Sequence, residues 1–201
     1  MATPAQIVAK AKSQVGVTED PVGSNDGSQV RRYQAVTGAY RAPWCCSFAQ
    51  WVLAQCGVGP IANRTAGAYY LGDFARSHGW THPNPTPGCV VVYRIGQGHV
   101  GIVVAVHSDN LFEAVEGNEN QQVSHTHRDR SIVYCFFTPP GVKAKPRKIQ
   151  VPRFEVVSSS GGHAQVRAVW GKWSKVGPQI PRLAAKYRDV RVRRKTVTVL
   201  K

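Results

Sequence analysis

Ala42-Pro43-Trp44-Cys45-Cys46-Ser47-Phe48-Ala49-Gln50-Trp51 reads as a loop that runs into a helix. Pro43 lacks an amide N–H and suits the approach or the first turn, not a helix interior. From Cys45 on, Phe48, Val52 and Leu53 recur at helical spacing, and Gly57 ends the run. Cys45 therefore falls at or near a helix N-terminus. The free backbone N–H groups and the helix dipole there favour an anion, which helps a thiol ionise. A thiolate is the nucleophile of cysteine hydrolases, and the same N–H groups suit a developing oxyanion. The helix is apolar on most sides, through Phe48, Ala49, Trp51, Val52, Leu53 and Ala54, as buried helices are.

Such a nucleophile needs a base and a group that orients the base. Gly98-His99-Val100-Gly101-Ile102-Val103-Val104 and then Glu116-Gly117-Asn118 follow in order. Taken singly, these are a buried thiol, a histidine at a strand start and a turn. A Cys, a His and an Asn or Glu that converge in the fold are the parts of a papain-type site.

With these residues the chain resembles the CHAP family of cysteine, histidine-dependent amidohydrolases and peptidases, which cut peptidoglycan. The resemblance rests on Trp44-Cys45 with Phe48 three further on, on Gly98 to Val103, and on Glu116-Gly117-Asn118. Upstream, Gly23-Ser24-Asn25 with Val30 and Tyr33 is similar to the family's approach to its cysteine. It covers roughly the first two-thirds of the chain. The resemblance implies a papain-like fold, Cys45 as nucleophile, His99 as base, Glu116 as main orienting residue and Asn118 as a second polar member. Cys46 is the rival nucleophile on chemistry alone, but only Cys45 has the Phe three residues on. Positions 116 and 118 of a strand share a face, so both are expected beside His99, with Glu113 out of phase and solvent-facing. Some relatives bind calcium in the region of Asp20, Asn25 and Asp26. The spacing is not that of an EF-hand, so the expectation is no cofactor, with calcium as the alternative.

The rest of the first part is α+β in pattern. Thr3-Pro4 starts a helix with Ile7, Val8, Ala11 and Val15 on its apolar face. A polar loop over Glu19–Ser28, a short helix ending at Gly38 and a helical stretch over Thr65–His78 follow. Thr81–Gly88 holds three prolines and is placed to line the groove. Strands are predicted over Cys89–Tyr93, His99–Val106, Leu111–Val115 and Ile132–Phe137, and their short connections imply an antiparallel sheet. His78, His82, His107, His125 and His127 read as surface or loop histidines.

Charge divides the chain. Up to Pro140, ten Lys/Arg stand against nine Asp/Glu; from Gly141, sixteen stand against two, which places +14 of the net +15 in the second part. The predicted organisation is a catalytic domain over 1–138, a Pro/Lys-rich linker over 139–152 and a basic module over 153–201. Phe154–Val157, Ala164–Trp170, a helix over Ile180–Tyr187 and a strand over Asp189–Leu200 make that module ββαβ. Such charge calls for a polyanion. Teichoic acids and peptidoglycan carboxylates fit a wall hydrolase. Nucleic acid is the rival, because Trp170, Trp173 and Tyr187 sit among Arg and Lys.

Cys45, Cys46, Cys56, Cys89 and Cys135 are odd in number and form no CxxC, which argues against a disulfide framework or a zinc site and for a reducing compartment. No secretory signal opens the sequence, and no apolar run is long enough to span a membrane. The whole resembles phage endolysins, which wait in the host cytoplasm until a holin opens the membrane; a lysin carried on a virion is the alternative. A monomer is expected. Within the resemblance, an N-acetylmuramoyl-L-alanine amidase is favoured over a peptidoglycan endopeptidase. The reading from a different class is a virion structural or nucleic-acid-binding protein with an inactive hydrolase-like domain. The intact Cys45, His99 and Glu116 set speaks against that.

Overall fold

Four helices precede a six-stranded sheet in the computed structural model, which describes residues 1–143, 148–160, 163–169 and 188–200, with side chains over the first of these segments. The helices are α1 (Pro4–Lys12), α2 (Ser28–Thr37), α3 (Cys45–Gln55) and α4 (Ala68–Ser77). The Thr3 side chain accepts from the Gln6 amide while the Gln6 side chain takes the Thr3 amide, so α1 begins in a capping box. Gly38, in the left-handed region, closes α2. No described helix is long and apolar enough to cross a membrane.

The strands are β1 (Thr81–His82), β2 (Val90–Tyr93), β3 (His99–Val106), β4 (Leu111–Glu119), β5 (Gln122–Asp129) and β6 (Val133–Phe137). They pair antiparallel in the order β1-β6-β2-β3-β4-β5, so the architecture is α+β as the pattern predicts. Alternation along β3 splits the core. Val100, Ile102 and Val104 pack with Phe48, Val52 and Leu53 of α3 on one face, while Val103 packs with Tyr93, Phe112 and Phe136 on the other. All of α3 from Cys45 to Leu53 is buried, which holds its first turn rigidly against the sheet.

Three expectations change. Thr81 and His82 pair with Phe137 and Phe136 as β1, separated from β3 by β6 and β2, so this segment does not line a groove beside Cys45. Strand β4 runs on past Val115 to Glu119, and β5 was not expected at all. The catalytic unit also extends past residue 138. Ala2 bridges Val142 in parallel, and the Ala2 and Lys143 amides donate to Gly141 and Ala2 carbonyls at 2.9 and 2.8 Å.

The chain divides into units Met1–Ala144 and Lys145–Lys201. The second holds a three-stranded antiparallel sheet of β7 (Lys148–Ser160), β8 (His163–Val169) and β9 (Arg188–Leu200), in the order β8-β7-β9. Residues 148–152, expected in the linker, are strand here, with Lys148 opposite Leu200 and Pro152 opposite Thr196. The helix expected over 180–187 lies outside the described residues.

Candidate active site

Cys45 is the first residue of α3. No side chain caps this helix, and its first main-chain bond runs from the Phe48 amide to the Trp44 carbonyl, so the N–H groups of Cys45, Cys46 and Ser47 have no carbonyl partner within the helix. The approach is fixed by buried polar groups. The Gln34 side-chain amide donates to the Asn25 and Ala42 carbonyls at 3.0 and 2.9 Å, tying the loop before α2 to the segment before Cys45. Trp44 is fully buried, stacks on Tyr33 at 5.6 Å, and donates its indole N–H to Glu19 at 2.8 Å.

His99 opens β3 and is buried, with its ring stacked on Tyr93. Its Nε2 lies 3.1 Å from Glu116 Oε2 and 3.6 Å from Glu119 Oε2. That leaves Nδ1 for the thiol of Cys45. Burial pulls the His99 ring toward its neutral form, but hydrogen bonding to Cys45 and Glu116, with their negative charge, outweighs it and raises the pKa to about 10. His99 is thus held as an imidazolium, the form that pairs with a thiolate.

Glu116 is completely buried. Burial alone would raise its pKa, yet bonds from His99 and Arg128 bring it down to about 2. Arg128 reaches it with two nitrogens, Nε at 3.0 Å and Nη2 at 2.5 Å, and Thr126 donates to Oε1 at 2.8 Å. Both come from β5, two residues apart on one face. Their signal in the sequence is that alternation, in a strand too polar to read as one. Gly101 makes room for this carboxylate: a Cβ there would stand 2.7 Å from Glu116 Cγ. Gly117 does the same for α3, since a Cβ would meet Phe48 Cβ at 2.5 Å.

Asn118 corrects an expectation. Its φ is +58° and the β4–β5 register slips between Glu116 and Glu119, so the two-residue alternation breaks and Asn118 turns away from the His99 side. Its Oδ1 accepts from the Trp44 amide at 3.3 Å, and its Nδ2 donates to Glu19 at 2.8 Å. Asn118 therefore holds the residue before the nucleophile, not the base.

The adjacent cysteines separate clearly. Cys45 keeps 7 % of its surface and Cys46 none. The Cys46 thiol points to the Thr65 carbonyl at 3.4 Å, and burial, then the charge of Cys45, push its pKa well above the ordinary value. Cys46 stays a neutral thiol.

Two of the three residues of the calcium alternative are bonded within the protein. Asp26 is buried, with Oδ1 receiving Arg31 Nε at 2.6 Å and Oδ2 receiving Arg41 Nε at 2.9 Å, and the Arg31 bond is the main reason its carboxyl titrates well below the usual range. Asn25 Oδ1 faces the Asn118 amide at 3.3 Å. Asp26 thus serves as the shared acceptor of two guanidinium groups.

Neither the curated proteins nor the solved structures contain a significant match to this chain. The family model described as "CHAP domain" matches residues 37–118, from the end of α2 through α3, β2 and β3 to Asn118 on β4. The matched span contains Cys45, His99 and Glu116, and the surrounding unit is a helical layer on an antiparallel sheet. The first unit of this chain carries a CHAP domain, the domain of cysteine, histidine-dependent amidohydrolases and peptidases.

Proposed function

We propose that the chain is a peptidoglycan amidase of the endolysin kind, cleaving the bond between muramic acid and L-alanine through Cys45, His99 and Glu116. The observation that supports this most is the buried relay. A thiol at an uncapped helix N-terminus faces a histidine whose other nitrogen is taken by a buried carboxylate. In this reading the Cys45 thiolate attacks the lactyl carbonyl carbon, and the α3 N–H groups hold the oxyanion. His99 gives its proton to the departing alanine nitrogen as the C–N bond breaks, leaving a thioester. Water, losing a proton to His99, then attacks the thioester and restores the ion pair. Glu116 keeps the ring oriented throughout and favours its return to the charged form, and Asn118 positions the chain at Trp44.

Mass spectrometry of digested peptidoglycan tests the bond. Intact stem peptides with a free alanine amine are expected. Fragments cut within the stem or cross-bridge make the enzyme an endopeptidase with the same chemistry, and no product from several walls removes the hydrolase reading.

The second unit is proposed to hold the enzyme on anionic wall polymers, so that an enzyme released through an opened membrane, or carried on a virion, stays at its substrate. Its sheet sets Arg153 opposite Lys195 and Glu155 opposite Arg193 in register. Removing residues 145–201 is expected to leave a folded, hydrolytically competent fragment that binds walls at least ~10-fold more weakly, with the difference shrinking as salt rises. Sedimentation with purified walls across a salt series measures it. Equal binding by both forms would remove this role, and salt-dependent retention of the full chain by DNA but not by walls would assign the unit to nucleic acid.

A further inference from the structure

Away from Cys45, three histidines converge on one carboxylate. His107 follows β3, Glu113 is on β4, and His125 and His127 are on β5. Glu113 stands opposite His127 in the β4–β5 ladder, and Val115 opposite His125, so one face of β5 presents both rings to it. His107 Nε2 lies 2.7 Å and His127 Nε2 3.6 Å from Oε1, while His125 Nε2 lies 2.8 Å from Oε2. The rings stand nearly parallel, at 10° for His107 and His127 and 7° for His125 and His127. Glu113 is not solvent-facing as its phase suggested; its side chain keeps 16 % exposure under these rings.

We propose that His107, His127 and Glu113 bind a late first-row divalent cation such as Zn2+, and that His125 orients the carboxylate by holding its second oxygen. The donor atoms of the three ligands all lie within 4.8 Å of one another. Ligands at ~2.0–2.1 Å in a tetrahedron stand roughly 3.3 Å apart, so small rotations of exposed rings close the site. Imidazole nitrogen selects zinc, nickel or copper over calcium and magnesium, which require oxygen. A carboxylate held by a further imidazole is the usual outer support of such a ligand. The fourth position faces solvent and takes water.

The ion would tie the end of β3 to β4 and to the edge strand β5. The opposite face of β5 carries Thr126 and Arg128, which hold Glu116. Metal binding therefore braces the strand that supports the base.

The test is calorimetric titration of Zn2+ into the full-length, tag-free chain, in a Cys45→Ser background that removes the nucleophilic thiol as a competing ligand. One ion per chain is expected, with a rise in Tm on zinc addition. His127→Ala, at a side chain 80 % exposed, is expected to leave the metal-free Tm unchanged, weaken binding at least tenfold and abolish the zinc-induced rise. Glu113→Gln is expected to weaken binding to the same degree. No binding by the full chain overturns the proposal, as does binding that His127→Ala reduces by less than tenfold, because the ion is then held elsewhere.

Discussion

Cys45→Ser is expected to lower peptidoglycan hydrolysis by about a thousandfold or more, while Cys46→Ser changes it by less than about tenfold. The two residues share a helix turn, and their surroundings decide the difference. Cys45 stands beside His99, whose charged form is favoured first by hydrogen bonding to Cys45 and then by Glu116. A serine hydroxyl in the same place ionises far less readily than a thiol, so it supplies no anion to pair with the imidazolium and is a poor nucleophile. Cys46 is sealed in the core with its thiol on the Thr65 carbonyl, a bond a serine hydroxyl can keep. Release of muropeptides by each purified variant measures both. Loss of activity in Cys46→Ser with retention in Cys45→Ser would move the nucleophile by one residue and break the relay described above.

Glu116→Gln is expected to cost roughly a hundredfold or more in kcat and to move the alkaline limb of the pH profile down from about 10 toward the ordinary histidine value of 6.5. Activity requires His99 to carry its proton, and Glu116 helps keep it there. The sign for stability follows. His99 titrates higher when folded, so the stabilisation from its charge is complete below pH 6.5 and is lost as pH rises toward 10. Glu116 titrates lower when folded, so its contribution is complete above pH 4.5 and is lost as pH falls toward 2. The variant also takes from Arg128 its buried carboxylate partner and leaves it Glu119 at 3.0 Å, at a cost of about 1–3 kcal/mol of folding stability. Denaturant unfolding and a kcat/KM profile over pH separate the two effects. An alkaline limb that stays at its wild-type position would show that Glu116 does not govern the charge of His99.

The parts of the site written in apolar periodicity were legible beforehand. Phe48, Val52 and Leu53 mark α3, and the unbroken run from Val100 to Val104 marks β3, so Cys45 and His99 are placed by the residues that follow them. Glu116 was legible through its motif. Strand β5 was not, because Gln122–Asp129 is polar on both faces: one face serves Glu116 and the other Glu113. An edge strand that satisfies buried charges carries no hydrophobic alternation to read. Asn118 was misplaced because a two-residue period was assumed through a backbone position of left-handed conformation. The calcium alternative came from relatives of the family, and the pairing of Asp26 with arginines five and fifteen residues on did not show in the sequence.

The two halves of the relay differ in how far apart their parts lie along the chain. The base and its supports are local: Glu116 is 17 residues from His99 and 12 from Arg128, within one β3–β4–β5 meander. The nucleophile is docked by distant contacts, with Asn118 reaching back 74 residues to Trp44 and 99 to Glu19. Closing long loops is the slower part of folding, because chain entropy is lost before the contacts form. The meander can therefore assemble with its charges already satisfied, while the thiol is delivered only when the N-terminal helices dock. A chain in which the meander has formed and the N-terminal helices have not docked then holds a complete base and no placed nucleophile, so hydrolytic competence arrives with the last tertiary contacts.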